Sequence, residues 1–160
     1  VKCRPMSTDK IEKRAPARAQ ARCACGDVVV EIAVPAQWAW HDHSAASRQA
    51  HGAAYATYVG SWKSRFRFVQ GEDCLTRYED DAGATRSCSA RCGTPVLYER
   101  KRAANNVNIP RALFTSGVGR EPRYHLAIDQ LQEWTYLGEK LGPLKGFPGV
   151  VWTGARRKRA

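Results

Sequence analysis

Apolar and polar residues alternate along several short segments of this chain. In residues 27–34, Val28, Val30, Ile32 and Val34 alternate with Val29, Glu31 and Ala33, which predicts a β-strand that ends at Pro35. Further short strands are predicted at residues 53–59, 65–69, 75–79, 85–89, 96–100 and 107–109, with Gly60 as a break between the first two. Only residues 127–134 suggest a helical turn. Many short strands at regular spacing predict an all-β domain.

A long polar stretch interrupts this pattern at residues 38–52 and contains three of the four histidines. We predict a polar loop here. His41, Asp42 and His43 are side chains that bind zinc or another first-row metal, and His41 and His43 share a face if the segment is extended. The alternative is an ordinary polar loop with satisfied hydrogen bonds, and the sequence leaves both open.

The charge is concentrated at the two ends. The chain has 160 residues, with 26 Lys and Arg against 15 Asp and Glu, a net charge of +11. Nine of these eleven excess charges lie in residues 1–22 and 156–159. We therefore predict a disordered basic arm at residues 1–20, a C-terminal extension with a basic tail at residues 137–160, and weak, non-specific polyanion binding through these flexible tails.

Hydropathy indicates a cytoplasmic protein without a membrane partner. No apolar run approaches the roughly 18 residues of a membrane span, and the first twenty residues have no apolar stretch typical of a secretion signal. The chain starts at Val1 and its only methionine is Met6, so we expect the working protein to begin near Met6.

Six cysteines in such a protein indicate metal ligands or free thiols rather than disulfides. One pair is Cys23 and Cys25, followed by Gly26, and the other is Cys88 and Cys92, followed by Gly93. Each pair precedes a predicted strand. Two such turns that face each other supply the four thiolates of a structural zinc site, while reduced cysteines in ordinary turns are the alternative. Cys3 and Cys74 receive no role.

Several motifs in order give the chain a family resemblance. They are Cys23-x-Cys25-Gly26, then Gly52-Ala53-Ala54-Tyr55, Arg86 before a cysteine pair, Cys92-Gly93-Thr94-Pro95, and Pro122-x-x-His125-Leu126. Over residues 21–136 the chain resembles the glutathione-dependent formaldehyde-activating enzyme and centromere protein V family. The resemblance implies an Mss4-like, zinc-stabilised domain of small antiparallel sheets. It also implies carbon–sulfur lyase chemistry on glutathione adducts of formaldehyde or related aldehydes, with a structural zinc site and a catalytic one.

The sequence departs from the family pattern at both zinc sites. The family's catalytic loop, C-H-C-x-x-C, falls on residues 42–47, where Asp42, Ser44 and Ser47 replace the three cysteines and only His43 is kept. Serine hydroxyls are poor zinc ligands, so we expect the second zinc to be lost. At the structural site Cys88 lies one residue early and Ser89 occupies the cysteine position. Cys88 reaches the metal only if the turn bulges, and Ser89 or water is the alternative fourth ligand.

Two functions follow from the resemblance. In one, the protein is an enzyme that binds glutathione or another thiol adduct, with Asp42 and His43 as acid–base groups. In the other, it is a non-catalytic binding module on a zinc scaffold. Arg86, and with it Arg111, Arg120 and Arg123, are candidates for binding the carboxylates of glutathione. His125 and Tyr58 are expected to pack in the interior.

Overall fold

The described chain, residues 17–135 and 142–152 of a computed structural model, forms twelve β-strands and one α-helix. In chain order the strands are β1 (Arg18–Arg22), β2 (Val29–Ala33), β3 (Trp38–Asp42), β4 (Ala56–Trp62), β5 (Phe66–Gln70), β6 (Leu75–Glu79), β7 (Ala84–Ser89), β8 (Pro95–Arg100), β9 (Asn106–Pro110), β10 (Tyr124–Leu126), β11 (Gly142–Pro143) and β12 (Val151–Trp152). Helix α1 (Ala45–His51) lies between β3 and β4, and five short 3₁₀ turns connect other strands. The all-β prediction is confirmed.

The strands form two sheets. Three strands pair in the order β1-β2-β5, and nine pair in the order β11-β12-β10-β3-β4-β9-β8-β7-β6. All pairs are antiparallel except β3 with β10, which run parallel. None of the helices in the described ranges combines the length and the apolar character that crossing a bilayer requires.

The main core lies between the two sheets. Strand β2 is central in the small sheet, and Val30 and Ile32 are fully buried against Val59, Val96 and Ile109 of the large sheet. A second cluster, formed by Trp40, Tyr58 and Tyr98 with two alanines, covers part of one face of the large sheet. This second cluster separates the two cavities described below.

The ordered chain begins earlier than the sequence predicts. Residues 18–20, assigned to a disordered arm, belong to β1, in which buried Ala19 and Ala21 alternate with exposed Arg18, Gln20 and Arg22. Alanine is weakly apolar, so this period-two pattern gives little signal in the sequence. The rest of the arm, residues 1–16, and the basic tail at residues 153–160 lie outside the described residues, and polyanion binding through them stays a prediction.

The polar loop predicted at residues 38–52 is wrong. Its first part is β3, which pairs with β4 and β10, and its second part is α1. Ser44 caps the helix by accepting a hydrogen bond from the Ser47 backbone N–H at 3.3 Å, and Gly52 ends it at φ +58°. Gly60 is also not a break between strands. It lies within β4, where the Trp38 ring packs directly on it. A Cβ at this position would stand 1.6 Å from Nε1 of Trp38, so the position accommodates glycine.

Candidate metal centre and binding cavity

Two turns bring three thiols together. Cys23 and Cys25 lie in the turn before β2, and Cys92 lies in the turn between β7 and β8. Their three sulfur atoms all lie within 4.8 Å of one another, with the Cys23 and Cys25 sulfurs 3.4 Å apart. Within the described ranges, this is the one group of three or more His, Cys, Asp or Glu side chains close enough to hold a metal.

The backbone of both turns is shaped around these sulfurs. The Val28 backbone N–H donates to the Cys23 sulfur at 3.3 Å, and Gly26 follows the first pair at φ +83°. The Ala24 backbone N–H donates to the Thr94 hydroxyl at 3.2 Å, which ties the first turn to the second. An N–H directed at a sulfur stabilises a thiolate, and this arrangement is typical of zinc-binding cysteine turns.

Hydrogen bonds favour the thiolate form of two of the three cysteines. Those from the Ser89 and Thr94 hydroxyls and the Thr94 backbone lower the pKa of Cys92 to about 5. Burial opposes ionisation of Cys23, but hydrogen bonds from Val28 and neighbouring side chains lower its pKa. The Asp27 backbone N–H favours ionisation of Cys25, but burial and the neighbouring Cys23 and Cys92 thiols outweigh it and raise the pKa of Cys25. Because zinc binds cysteine as the thiolate, a cluster of three thiols, two of which ionise readily, fits this metal.

Ser89, and not Cys88, adjoins the cluster. The Ser89 hydroxyl oxygen lies 3.7 Å from the Cys25 sulfur and accepts a hydrogen bond from the Cys92 backbone N–H at 3.4 Å. Neighbouring side chains of a strand point to opposite faces of the sheet, so Cys88 is directed away from the three thiols and lines a cavity instead. The structure therefore brings together Cys23, Cys25 and Cys92 but not Cys88.

Asp42, Ser44 and Ser47, which the resemblance places at the positions of the catalytic cysteines, are engaged in local hydrogen bonds. The Asp42 carboxylate accepts from the Ser44 backbone N–H at 2.9 Å, and the Ser44 hydroxyl caps α1. Buried Ser47 accepts from the Arg86 guanidinium at 3.3 Å. One carboxylate and two hydroxyls without a sulfur do not fit the zinc that this loop holds in the family pattern.

Beside this loop lies a cavity of about 240 Å³, here called the Arg86 cavity. Its walls include Arg86 and Cys88 of β7, Thr76 and Tyr78 of β6, Tyr58 of β4 and His51 of α1. From the sequence, His51 is one of the metal-capable side chains of the polar stretch and Tyr58 is a packing residue. Their meeting at this cavity is not predicted, because nothing in the sequence shows that α1 folds back over β4.

Three of these side chains form a hydrogen-bonded chain. Arg86 Nη1 donates to the Tyr58 hydroxyl at 3.0 Å, and that hydroxyl lies 2.9 Å from His51 Nε2. Burial raises the pKa of Tyr58, and burial, reinforced by the charge of Arg86, lowers the pKa of His51. At neutral pH the Tyr58 phenol therefore stays protonated and donates a hydrogen bond to the neutral His51 imidazole.

Arg86 carries a positive charge without an acidic partner. Its guanidinium stacks on the Tyr98 ring, 4.4 Å from the ring centroid. In the described part of the chain no carboxylate oxygen lies within 4.0 Å of it, although four other basic side chains form such ion pairs. A partly buried cation beside a cavity attracts an anion.

The histidines form a separate packed cluster. His43 is fully buried, with Nε2 2.9 Å from His125 Nδ1, and His41 Nδ1 lies 2.8 Å from the Thr57 hydroxyl. Burial lowers the pKa of all three rings, that of His125 to about 4, so they are neutral at pH 7. His125 packs as expected, whereas the ligand atoms of His41, Asp42 and His43 do not converge as a substitute metal site requires.

Two other arginines proposed for carboxylate binding have structural partners. Arg111 donates to the Phe114 carbonyl at 3.1 Å, and Arg120 donates to the Ala36 carbonyl at 2.7 Å. Neither of them, nor Arg123, lines the Arg86 cavity. Of the four arginines considered from the sequence, Arg86 alone lies at this cavity.

Comparisons with known proteins concern the family and the fold. A sequence model of the glutathione-dependent formaldehyde-activating enzyme family matches residues 18–130, which include all three clustered thiols and Arg86. No curated protein sequence matches the chain. Among solved structures, the fold is similar to that of a crystal structure of a Rhodobacter sphaeroides protein. That similarity has a TM-score of 0.53 and 21% identity, and it covers 61% of this chain and 89% of that one.

Proposed function

The chain belongs to the glutathione-dependent formaldehyde-activating enzyme family, and we propose that it binds a glutathione-class thiol adduct in the Arg86 cavity without the family's catalytic zinc. The observation that carries the proposal is the position of Arg86. It is a cation without a carboxylate partner in the described chain, at a cavity beside the loop that has lost its metal-binding cysteines.

One zinc ion at Cys23, Cys25 and Cys92 is the second part of the proposal. Such an ion, when bound, would crosslink the turn before β2 to the turn before β8 and so join the two sheets. Ser89 supports the site from the fourth side through its hydrogen bonds. The zinc would hold the fold, and no chemical step on the ligand passes through it.

Arg86 supplies the binding energy for a carboxylate. A guanidinium has five N–H groups, and Tyr58 and Ser47 accept from two of its nitrogens, which fixes the plane of the group. The remaining N–H groups are free to pair with one carboxylate of a glutathione-class ligand. Pre-organisation of this kind increases affinity because less side-chain entropy is lost on binding.

The geometry favours binding over acid–base catalysis by Asp42 and His43. His43 has no exposed surface, Asp42 is 8% exposed, and neither lines the Arg86 cavity. His51 and Tyr58 are the groups that face a ligand there, and their hydrogen bond keeps the phenol in position beside Arg86. These contacts support a binding module that keeps the family's ligand class.

Calorimetric titration with glutathione and with its formaldehyde adduct tests this function. We expect saturable binding by the native protein, and a loss of about tenfold or more in affinity for Arg86→Gln, because a charge-assisted pair is removed. Arg77→Gln is the matched control, since Arg77 is an exposed arginine on the neighbouring strand β6. Absence of binding at millimolar glutathione, or equal affinity of both variants, overturns the proposal.

A further inference from the structure

A second cavity lies on the same face of the large sheet and has a different character. This Trp40 cavity has a volume of about 520 Å³. The aromatic rings of Trp38, Trp40, Tyr124 and Phe147 contribute to its walls. It shares no lining residue with the Arg86 cavity, and the ring pairs Trp40–Tyr58 and Tyr58–Tyr98, with centroids 5.7 and 5.2 Å apart, separate the two.

Trp40 and Arg100, which both line this cavity, each have a buried hydrogen-bond donor without an acceptor in the described chain. Trp40 is 7% exposed, and its indole Nε1 is buried without a hydrogen-bond partner in the described chain. The same holds for Nε of Arg100, which also lines the cavity. A buried N–H without an acceptor costs about 1–3 kcal/mol, and a ligand acceptor that reaches either N–H would remove this cost.

The charge of the cavity wall limits the class of ligand that the Trp40 cavity can bind. Arg100 is the charged side chain of the cavity wall, no acidic residue lines it, and no carboxylate lies within 4.0 Å of Arg100 in the described ranges. The neighbouring Trp38 indole N–H is already used, since it donates to the Asn108 side-chain oxygen at 2.9 Å. The positive charge of Arg100, without an acidic partner, therefore favours an anionic ligand.

Shape narrows the class further. Several aromatic rings in a cavity wall favour a planar partner, because aromatic faces gain most from stacked or edge-to-face contact. The volume falls in the range of about 300–1,000 Å³ that is typical of small-molecule sites. We propose that the Trp40 cavity binds a small aromatic carboxylate, with the ring among the aromatic walls and the carboxylate paired with the Arg100 guanidinium. This proposal does not depend on the function of the Arg86 cavity.

The test uses three probes that separate ring from charge. Indole-3-carboxylate has both features, indole lacks the carboxylate, and cyclohexanecarboxylate lacks the aromatic ring. Each is titrated into ¹⁵N-labelled full-length protein, and the indole N–H signals of the five tryptophans report the site. We expect the Trp40 signal to shift most with indole-3-carboxylate, and its affinity to exceed that of either partial probe by about tenfold.

Substitutions of Arg100 and Trp40 test whether these side chains of the cavity wall contribute to ligand binding. Arg100→Gln should weaken indole-3-carboxylate binding by about tenfold or more while leaving indole binding unchanged. Arg102→Gln, an exposed arginine in the following 3₁₀ turn, makes the same charge change outside the cavity and should have no effect. Trp40→Phe keeps a ring but removes the N–H. If this variant does not fold, the signal shifts of the native protein and the Arg100 pair still decide. A Trp40 signal that does not move, or equal affinities of the two arginine variants, overturns the proposal.

Discussion

The Ser89 hydroxyl oxygen lies 3.7 Å from the Cys25 sulfur, on the side of strand β7 that faces the three thiols. The thiol of Cys88, one residue earlier, lines the Arg86 cavity on the opposite face. A shift of one residue along a strand thus decides whether a side chain adjoins the proposed zinc site or the Arg86 cavity. We therefore expect position 89, rather than position 88, to influence the zinc affinity.

Ser89→Cys should strengthen zinc binding. It adds a fourth thiolate at the position that now holds a hydroxyl, and thiolates bind zinc far better than hydroxyls do. We expect an increase of at least about tenfold in affinity, measured by competition with a chromogenic chelator. Cys88→Ser is the control and should leave zinc affinity unchanged. A loss of zinc in the control would mean that Cys88 is a ligand.

Cys25→Ser should remove the metal and destabilise the domain. Metal binding to a site made from two distant turns is coupled to folding, so we expect bound zinc to be lost and the melting temperature to fall by about 10 °C or more. Cys74→Ser changes a half-buried thiol outside the cluster and should keep the zinc. Identical melting of the Cys25 variant and the native protein would contradict a structural metal.

The sequence predicts the strands well where turns bound them and poorly where tertiary contacts form them. Residues 75–79 form a strand as predicted, because turn clusters limit them on both sides. Strand β3 was missed, since it pairs with β4 across helix α1 and with β10, more than eighty residues later, and nothing local indicates either pairing. Likewise, Cys23, Cys25 and Arg86 follow from motifs, whereas His51 and the Trp40 cavity depend on packing between distant segments.

Gly60→Ala should destabilise the fold strongly. An added Cβ would stand 1.6 Å from Trp38 Nε1, and displacing this ring also breaks its hydrogen bond to Asn108. We expect a loss of about 2–4 kcal/mol in the free energy of unfolding, measured with denaturant. The matched control is Gly117→Ala, where an added Cβ meets no atom within 4 Å. Equal stability of the two variants would show that the Trp38 ring can move at little cost.

The buried histidines should make stability fall in acid. In the unfolded chain a histidine has a pKa of 6.5, and burial lowers that of His125 to about 4 in the fold. Between these values the unfolded state binds more protons, so this contribution is complete above pH 6.5 and is lost as the pH falls toward 4. His125 accounts for about 3 kcal/mol of this loss.

Denaturant unfolding of native and His125→Gln proteins across this pH range measures the effect. His41, His43, Asp42 and Arg48 surround this ring cluster, and protonation of His43 is opposed in the same way, first by its burial and then by the charge of His41. The variant should therefore show a shallower but not flat pH profile. Parallel profiles of the two proteins would contradict the role of His125.

The native chain should not accelerate formation of S-hydroxymethylglutathione from glutathione and formaldehyde, because the loop at residues 42–47 has no sulfur for a second zinc.

The triple replacement Asp42→Cys, Ser44→Cys and Ser47→Cys should add about one zinc per chain, since Ser44 and Ser47 already adjoin across the first turn of α1. The loss of the Ser44 cap should cost about 1 kcal/mol of stability. Metal analysis measures the zinc content, and NMR detection of S-hydroxymethylglutathione measures the activity. The matched control, Asp42→Asn, Ser44→Ala and Ser47→Ala, breaks the same hydrogen bonds without adding sulfur and should gain no zinc. Zinc-dependent turnover by the native chain would contradict the loss of the catalytic metal.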